Sequence, residues 1–351
     1  MLVPGVAANR SRDVRVDALK GVAIVCVVVY HTLGQYWITA PTLALYVREF
    51  VFSFMLPLFA FLSGYMQGRP GTLMPLKYFV RRTLGLMVPY VCWEAIYGLT
   101  LVPAARSGWS AFETYLLHTL TDPHFEGRMW YLYVLWIALM LLGVVRILGR
   151  ESPWVLAASI VAVAVWPWWG QFKRLQWIYA FVVLGLLAKR SEHLLLPRRR
   201  AIGVAGAVAF VLLWFATRPE KVALARVGAW LQDSPALAGG VAALYWLMTL
   251  AGVAAIAALV AASHGTPQPV LRALSVPGRL SLGIYVVHFY FVEAWHDPSP
   301  WLIPVIVGVA LACAMAVTLL LGRWRVSATL LLGERWTPKN LPLGDVRTET
   351  L

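Results

Sequence analysis

Apolar residues run in long stretches along this chain, broken at intervals by short clusters of charge. A helix needs about 20 mostly apolar residues to cross a bilayer. Windows of that size predict ten spans, near 18–38, 45–67, 83–103, 129–147, 153–170, 175–189, 201–217, 240–262, 280–296 and 301–322. The fifth and sixth are short, which calls for tilt or local thinning. Backbone groups in lipid must be paired within their own segment, so each span is expected to be helical. The predicted fold is all-α, a polytopic membrane protein with about ten transmembrane helices. Residues 1–17 are expected to form an N-terminal tail, 18–322 the transmembrane domain and 323–351 a C-terminal tail. Two connections, 104–128 and 218–239, are long and carry amphipathic stretches such as Trp109 to Leu120. These are expected to lie on the outer surface or over a cavity mouth.

Composition supports lipid as the solvent. Hydrophobic residues make up 60% of the 351 and charged ones 13%, against about 25% charged in a soluble domain. Seventeen tryptophans fit the same setting, because tryptophan gathers at membrane interfaces. A net charge of +14 would suggest nucleic acid in a soluble protein, but here placement decides. With the N-terminus inside, 22 of the 30 lysines and arginines fall on inner segments and 8 on outer ones. That asymmetry predicts an N-in, C-in topology with both tails cytoplasmic. The bilayer is the implied partner, and nucleic acid is not. Cys26, Cys92 and Cys313 lie inside apolar runs and give neither a disulfide framework nor a metal spacing. Arg10, Arg12 and Arg15 precede the first apolar run, yet no clear cleavage site follows, so the segment is expected to be retained.

Ionisable residues inside a span are costly and mark function by default. In the first span Lys20 and His31 are eleven residues apart. That spacing returns to nearly the same helix face, about three turns and about 16 Å on. Asp17 precedes Lys20 on that stripe. An imidazole titrates near neutrality and can move protons. The plainer reading is a snorkelling Lys20 and a His31 that bonds a neighbouring helix. His288 in the ninth span lies at a similar depth, so two histidines from opposite ends of the chain are expected to share one cavity. Glu94 sits near mid-span in the third. Pro57 is expected to bend the second span, while Ser63 and Gly64 admit a close neighbour. Lys77, Arg81 and Arg82 precede the third span as an anchor or as a seat for phosphate. No glycine-rich phosphate loop, zinc motif or serine-hydrolase elbow is present.

The order of these elements resembles the acyltransferase-3 family of membrane O-acyltransferases, especially its sugar O-acetyltransferase branch of fucose 4-O-acetylase-like proteins. Lys20 and His31 match its signature pair, with lysine where arginine is usual. Met55, Pro57, Leu58, Phe59, Ser63 and Gly64 resemble its second-span pattern. Lys77, Arg81, Arg82, Pro89 and Tyr90 resemble its basic lead into the third span. Arg128, Trp130, Tyr131 and Leu132, then Leu184 and Gly185, then Ser281, Gly283, Ile284, Tyr285 and His288, resemble later landmarks.

The resemblance implies an acyl-CoA donor, usually acetyl-CoA, taken from the cytoplasmic side, and a carbohydrate acceptor at or beyond the outer face. No metal is expected, since the sequence carries no metal-ligand spacing. Other polysaccharide biosynthesis proteins are implied as partners, in the inner membrane of a bacterium. His31, Lys20 and Asp17 are the expected catalytic group. Arg81, Arg82, Lys77, Trp130, Arg128, His288, Glu94 and Ser63 are the expected donor- or substrate-binding group. Two rival classes are a transporter or flippase for lipid-linked sugars and a non-catalytic scaffold of a polysaccharide assembly complex. The first should show two similar halves with broken helices, and the sequence shows none. The second leaves Lys20 and His31 without work.

Overall fold

The computed structural model describes residues 13–34, 42–67, 75–122, 127–149, 152–167, 170–216, 235–262, 269–295 and 300–333. Among these residues the chain is all-helical, with thirteen helices of eight residues or more. They are α1 (Val14–Gly34), α2 (Thr42–Tyr65), α3 (Pro75–Thr100), α4 (Trp109–Thr121), α5 (Trp130–Leu148), α6 (Pro153–Val165) and α7 (Leu175–Arg190). Then follow α8 (Arg199–Ala216), α9 (Pro235–Ala262), α10 (Pro269–Arg279), α11 (Ser281–Val292), α12 (Ile303–Leu321) and α13 (Arg325–Leu332).

A helix stands at each of the ten expected spans, but their lengths differ. Among the described residues four helices are long and apolar enough to cross a membrane alone: Val14–Gly34, Tyr46–Tyr65, Trp130–Leu148 and Ile303–Leu321. A fifth crossing arises if α10 and α11, bent by 76° about Leu280, count as one broken span. Helix α6 and the stretch Trp246–Ala258 are apolar but shorter. Helix α3 is long, yet Lys77, Arg81, Arg82 and Glu94 interrupt its apolar face.

Small residues set the two tightest crossings. A Cβ on Gly64 of α2 would strike the carbonyl of Val182, and one on Gly185 of α7 would strike that of Phe61. Backbones in lipid approach this closely only where no side chain intervenes. Helices α1 and α10 meet in the same way, Gly21 against Leu274 and Gly278 against Asp17. Pro57 sits inside an unbroken α2.

Three short elements position the rest. Helix α4 falls on the stretch expected to be amphipathic. It buries Phe112, Tyr115 and Thr119, which is one face at helical spacing, and leaves Trp109 and Leu117 exposed. Helices α10 and α13 arise where connections or tail were expected. The indole Nε1 of Trp93 donates to the Leu331 carbonyl at 2.8 Å and ties α13 to α3. Gly333 then takes a left-handed turn at φ 62°, with its backbone against Gly85. Most of the expected loop 218–239, the far ends of both tails and Trp37 lie outside the described residues.

Candidate active site

The last turn of α1 and the middle of α11 come together around two imidazoles. The rings of His31 and His288 are 5.1 Å apart, centroid to centroid. Phe289 packs on both, 4.5 Å from His31 and 4.3 Å from His288. Tyr30 meets the His31 ring edge-on at 5.1 Å. His31 is half-buried, whereas His288 is 0% exposed.

The His288 ring is held from one side. Its Nδ1 lies 2.7 Å from the Tyr285 carbonyl and 3.2 Å from that of Ile284. Both partners accept only, so Nδ1 carries the proton, and in the neutral ring Nε2 keeps its lone pair. Among the described residues, this buried Nε2 has no hydrogen-bond partner.

Two arginines stand over the aromatic wall. Arg48 lies 4.7 Å above the Tyr30 ring and donates to the Tyr30 hydroxyl at 3.2 Å. Arg128 lies 5.6 Å from Phe289 and 5.8 Å from Tyr97, and it pairs with Glu293. Tyr97 in turn donates to the Val286 carbonyl at 2.8 Å and stacks on Tyr290. Cations over aromatic faces are favourable where water is scarce. Arg48 and the Arg128–Glu293 pair thus put guanidinium groups near the histidines, suited to an anionic group or a developing oxyanion.

The other sequence candidates fall into three places. Asp17 and Lys20 sit at the far end of α1, about 21 Å and about 16 Å from His31 by helix rise. Asp17 is 2% exposed, and its Oδ2 lies 3.7 Å from Arg279 Nε on α10. Lys20 is half-buried. On α3, Lys77 and Arg81 are exposed, while Arg82 lies 5.7 Å over the Tyr78 ring. The Tyr78 hydroxyl donates to the Leu139 carbonyl of α5 at 2.9 Å. Arg146 of α5, only 3% exposed, interacts electrostatically with Arg82 and with Arg190 of α7.

Glu94, Ser63 and Trp130 make contacts of their own. Glu94 is 0% exposed. It accepts from the Tyr115 hydroxyl at 2.6 Å and from the Met129 N–H at 2.8 Å. The carboxylate therefore staples α4 and the start of α5 to α3. Burial, and then the Glu94 charge, raise the Tyr115 hydroxyl well above its ordinary value, so it stays a donor. Ser63 donates back to the Phe59 carbonyl at 2.8 Å. Trp130 carries the Arg174 guanidinium 4.0 Å over its ring.

Sequence reasoning counted Arg48, Arg146 and Arg190 only as topology charges and passed over Phe289. Their spacing to the histidines or to Arg82 exists only after folding. The one available signal for the arginines was their position near the ends of apolar runs.

The acyltransferase-domain family Acyl_transf_3 matches residues 13–327, and the chain belongs to that family of membrane acyltransferases. It is similar to Nodulation protein NolL of Mesorhizobium japonicum, 30% identical over 191 residues, which is 52% of this chain and 49% of the relative. It is also similar to Nodulation protein NolL of Sinorhizobium fredii, 26% identical over 193 residues, 52% and 50% of the two chains. The chain spans about half the length of these curated relatives. No solved structure matches it.

Proposed function

We propose that this protein moves an acyl group, acetyl in the simplest case, from acyl-CoA to a hydroxyl of a carbohydrate. The acceptor is a surface or exported polysaccharide or its lipid-linked precursor, and the chain spans a bacterial inner membrane ten times with both termini inside. The observation that carries this reading is the His31–His288 pair, at 5.1 Å, in a chain of the acyltransferase family.

An alcohol attacks a thioester poorly until its proton is taken. His31 takes that proton. The hydroxyl oxygen bonds to the acyl carbon, the carbon–sulfur bond breaks with its electrons on sulfur, and the thiolate recovers the proton as free CoA thiol. The arginines of α3, joined by Arg146, suit the phosphates of CoA through forked hydrogen bonds. Arg48 over Tyr30 and Arg128 over Phe289 are the groups that would stabilise negative charge developing on the acyl oxygen. Asp17 and Lys20 fix the opposite end of the same helix.

The test is a deletion strain with mass spectrometry of its surface and secreted glycans. Loss of increments of about 42 Da, one acetyl each, names reaction and substrate class together. Unchanged glycans, with no acetyl-CoA consumption by purified protein, would sink the reading. Reporter fusions after residues 150, 195 and 270 are expected to read cytoplasmic, and those after 115 and 228 external. Two adjacent reversals would overturn the ten-span topology.

A further inference from the structure

We infer that His288 is a second proton site that works through His31, so that the two imidazoles relay the acceptor's proton to the leaving thiolate. This rests on the acyl-transfer reading above and adds a residue to its chemistry. The argument begins with the lone pair of His288 Nε2. A buried acceptor without a donor costs free energy, and most buried polar side-chain atoms are paired. His288 has its Nδ1 proton fixed on the carbonyls of Tyr285 and Ile284. Its Nε2 therefore points away from its own helix, and it meets no donor among the described residues. Among the described residues the His31 ring lies 5.1 Å away, centroid to centroid, a separation at which two facing ring nitrogens are within hydrogen-bond reach.

Exposure divides the labour. His31 is half-buried, the less buried of the two, and in this reading it is the one that meets the acceptor. His288 is fully buried behind it and acts on the reaction only through His31. When His31 accepts the hydroxyl proton it becomes an imidazolium next to Tyr30, which carries Arg48, and to Phe289, which carries the Arg128 of the Arg128–Glu293 pair. A second positive charge near Arg48 is unfavourable in a low dielectric. The Nε2 lone pair relieves it by accepting the N–H of His31 and sharing the proton. The proton then returns through His31 to the sulfur as the carbon–sulfur bond breaks. No oxidant or further reactant enters, and the second imidazole ends neutral as it began.

Asparagine separates the two nitrogens. In His288→Asn the amide N–H stands where Nδ1 does and preserves the tie to Tyr285, while Nε2 is gone. With acetyl-CoA as donor and glycan from the deletion strain as acceptor, His288→Asn is expected to lower kcat by about 10²-fold, the lower end of what a positioned acid–base group supplies. The KM for acetyl-CoA and the detergent Tm should stay near wild type. A proton inventory in mixtures of light and heavy water reads the relay directly. The wild-type curve should bow, with two protons in flight, and the His288→Asn line should be straight. A residue that merely packs would change neither shape. Wild-type kcat in His288→Asn, or a straight inventory in the wild type, would overturn the relay. If His288→Asn fails to reach the membrane, the wild-type inventory alone decides. A wild-type protein that neither releases thiol nor acetylates glycan sinks the acyl-transfer reading instead.

Discussion

Arg279 Nε lies 3.7 Å from the carboxylate of Asp17, at the junction where α1 meets the bent α10–α11 pair. Nothing in the spacing of the first span announces this partner. Its consequence is mechanical, because α1 carries His31 and α11 carries His288. The ion pair and the Gly21–Gly278 crossing together set how the two helices register. Asp17→Ala removes the buried acceptor and is expected to cost about 1–3 kcal/mol, read as a lower Tm in detergent. Transfer should fall with it. A variant of full stability and full activity would show that the pair holds nothing in place.

His31 is expected to be the most sensitive position on α1. His31→Ala should abolish transfer at normal membrane level, by about 10²–10⁴-fold. His31→Gln should fail as well, since an amide fills the space but takes no proton. An active His31→Gln protein removes this residue from proton transfer and takes the relay with it.

Lys20 answers a different question. Lys20→Ala should be nearly as damaging as His31→Ala. Lys20→Arg should keep much of the activity if only positive charge is needed. If Lys20 must give up a proton, arginine fails, because it stays charged. Activity assays on both variants, normalised to membrane level, decide between these.

The arginines of α3, α5 and α7 are expected to act on the donor alone. Arg81→Ala with Arg82→Ala should raise the apparent KM for acetyl-CoA, with the acceptor KM little moved. Arg146→Ala should do the same, though it lies on a different helix. Altered expression with unchanged KM values would reduce the cluster to a membrane anchor.

Much of the helix inventory was legible because apolar runs of span length have few alternatives in lipid. Helices α10 and α13 were not. The first, 11 residues, carries Arg272, Arg279 and an internal Pro277, and the second is only 8 residues long. Short, mixed segments have no composition signal of their own and form because a neighbour receives them. Within the site, His31 and His288 stood out as imidazoles in apolar runs. Phe289 did not, because one more aromatic in such a run is unremarkable until the chain folds. Arg279 and Arg146 had already been spent on the topology rule, which explains most basic residues near span ends and so conceals the exceptions.

Glu94 shows the same limit from the other side. Its mid-span position marked it as a ligand-binding candidate, yet both of its oxygens are taken within the chain, by the Tyr115 hydroxyl and the Met129 N–H. A carboxylate so engaged is expected to fasten the α4 connection rather than to bind donor or acceptor. Glu94→Gln keeps an acceptor for the Met129 N–H and lets the Tyr115 hydroxyl accept from the new amide. It should retain most activity with a modest fall in Tm. Glu94→Ala leaves a buried backbone N–H without a partner and should cost about 1–3 kcal/mol. Tyr115→Phe removes the other bond and should fall between the two. If Glu94→Gln instead loses transfer at unchanged Tm, the charge itself is used in the reaction and the staple is secondary. Thermal unfolding and transfer assays on the same three preparations separate these outcomes.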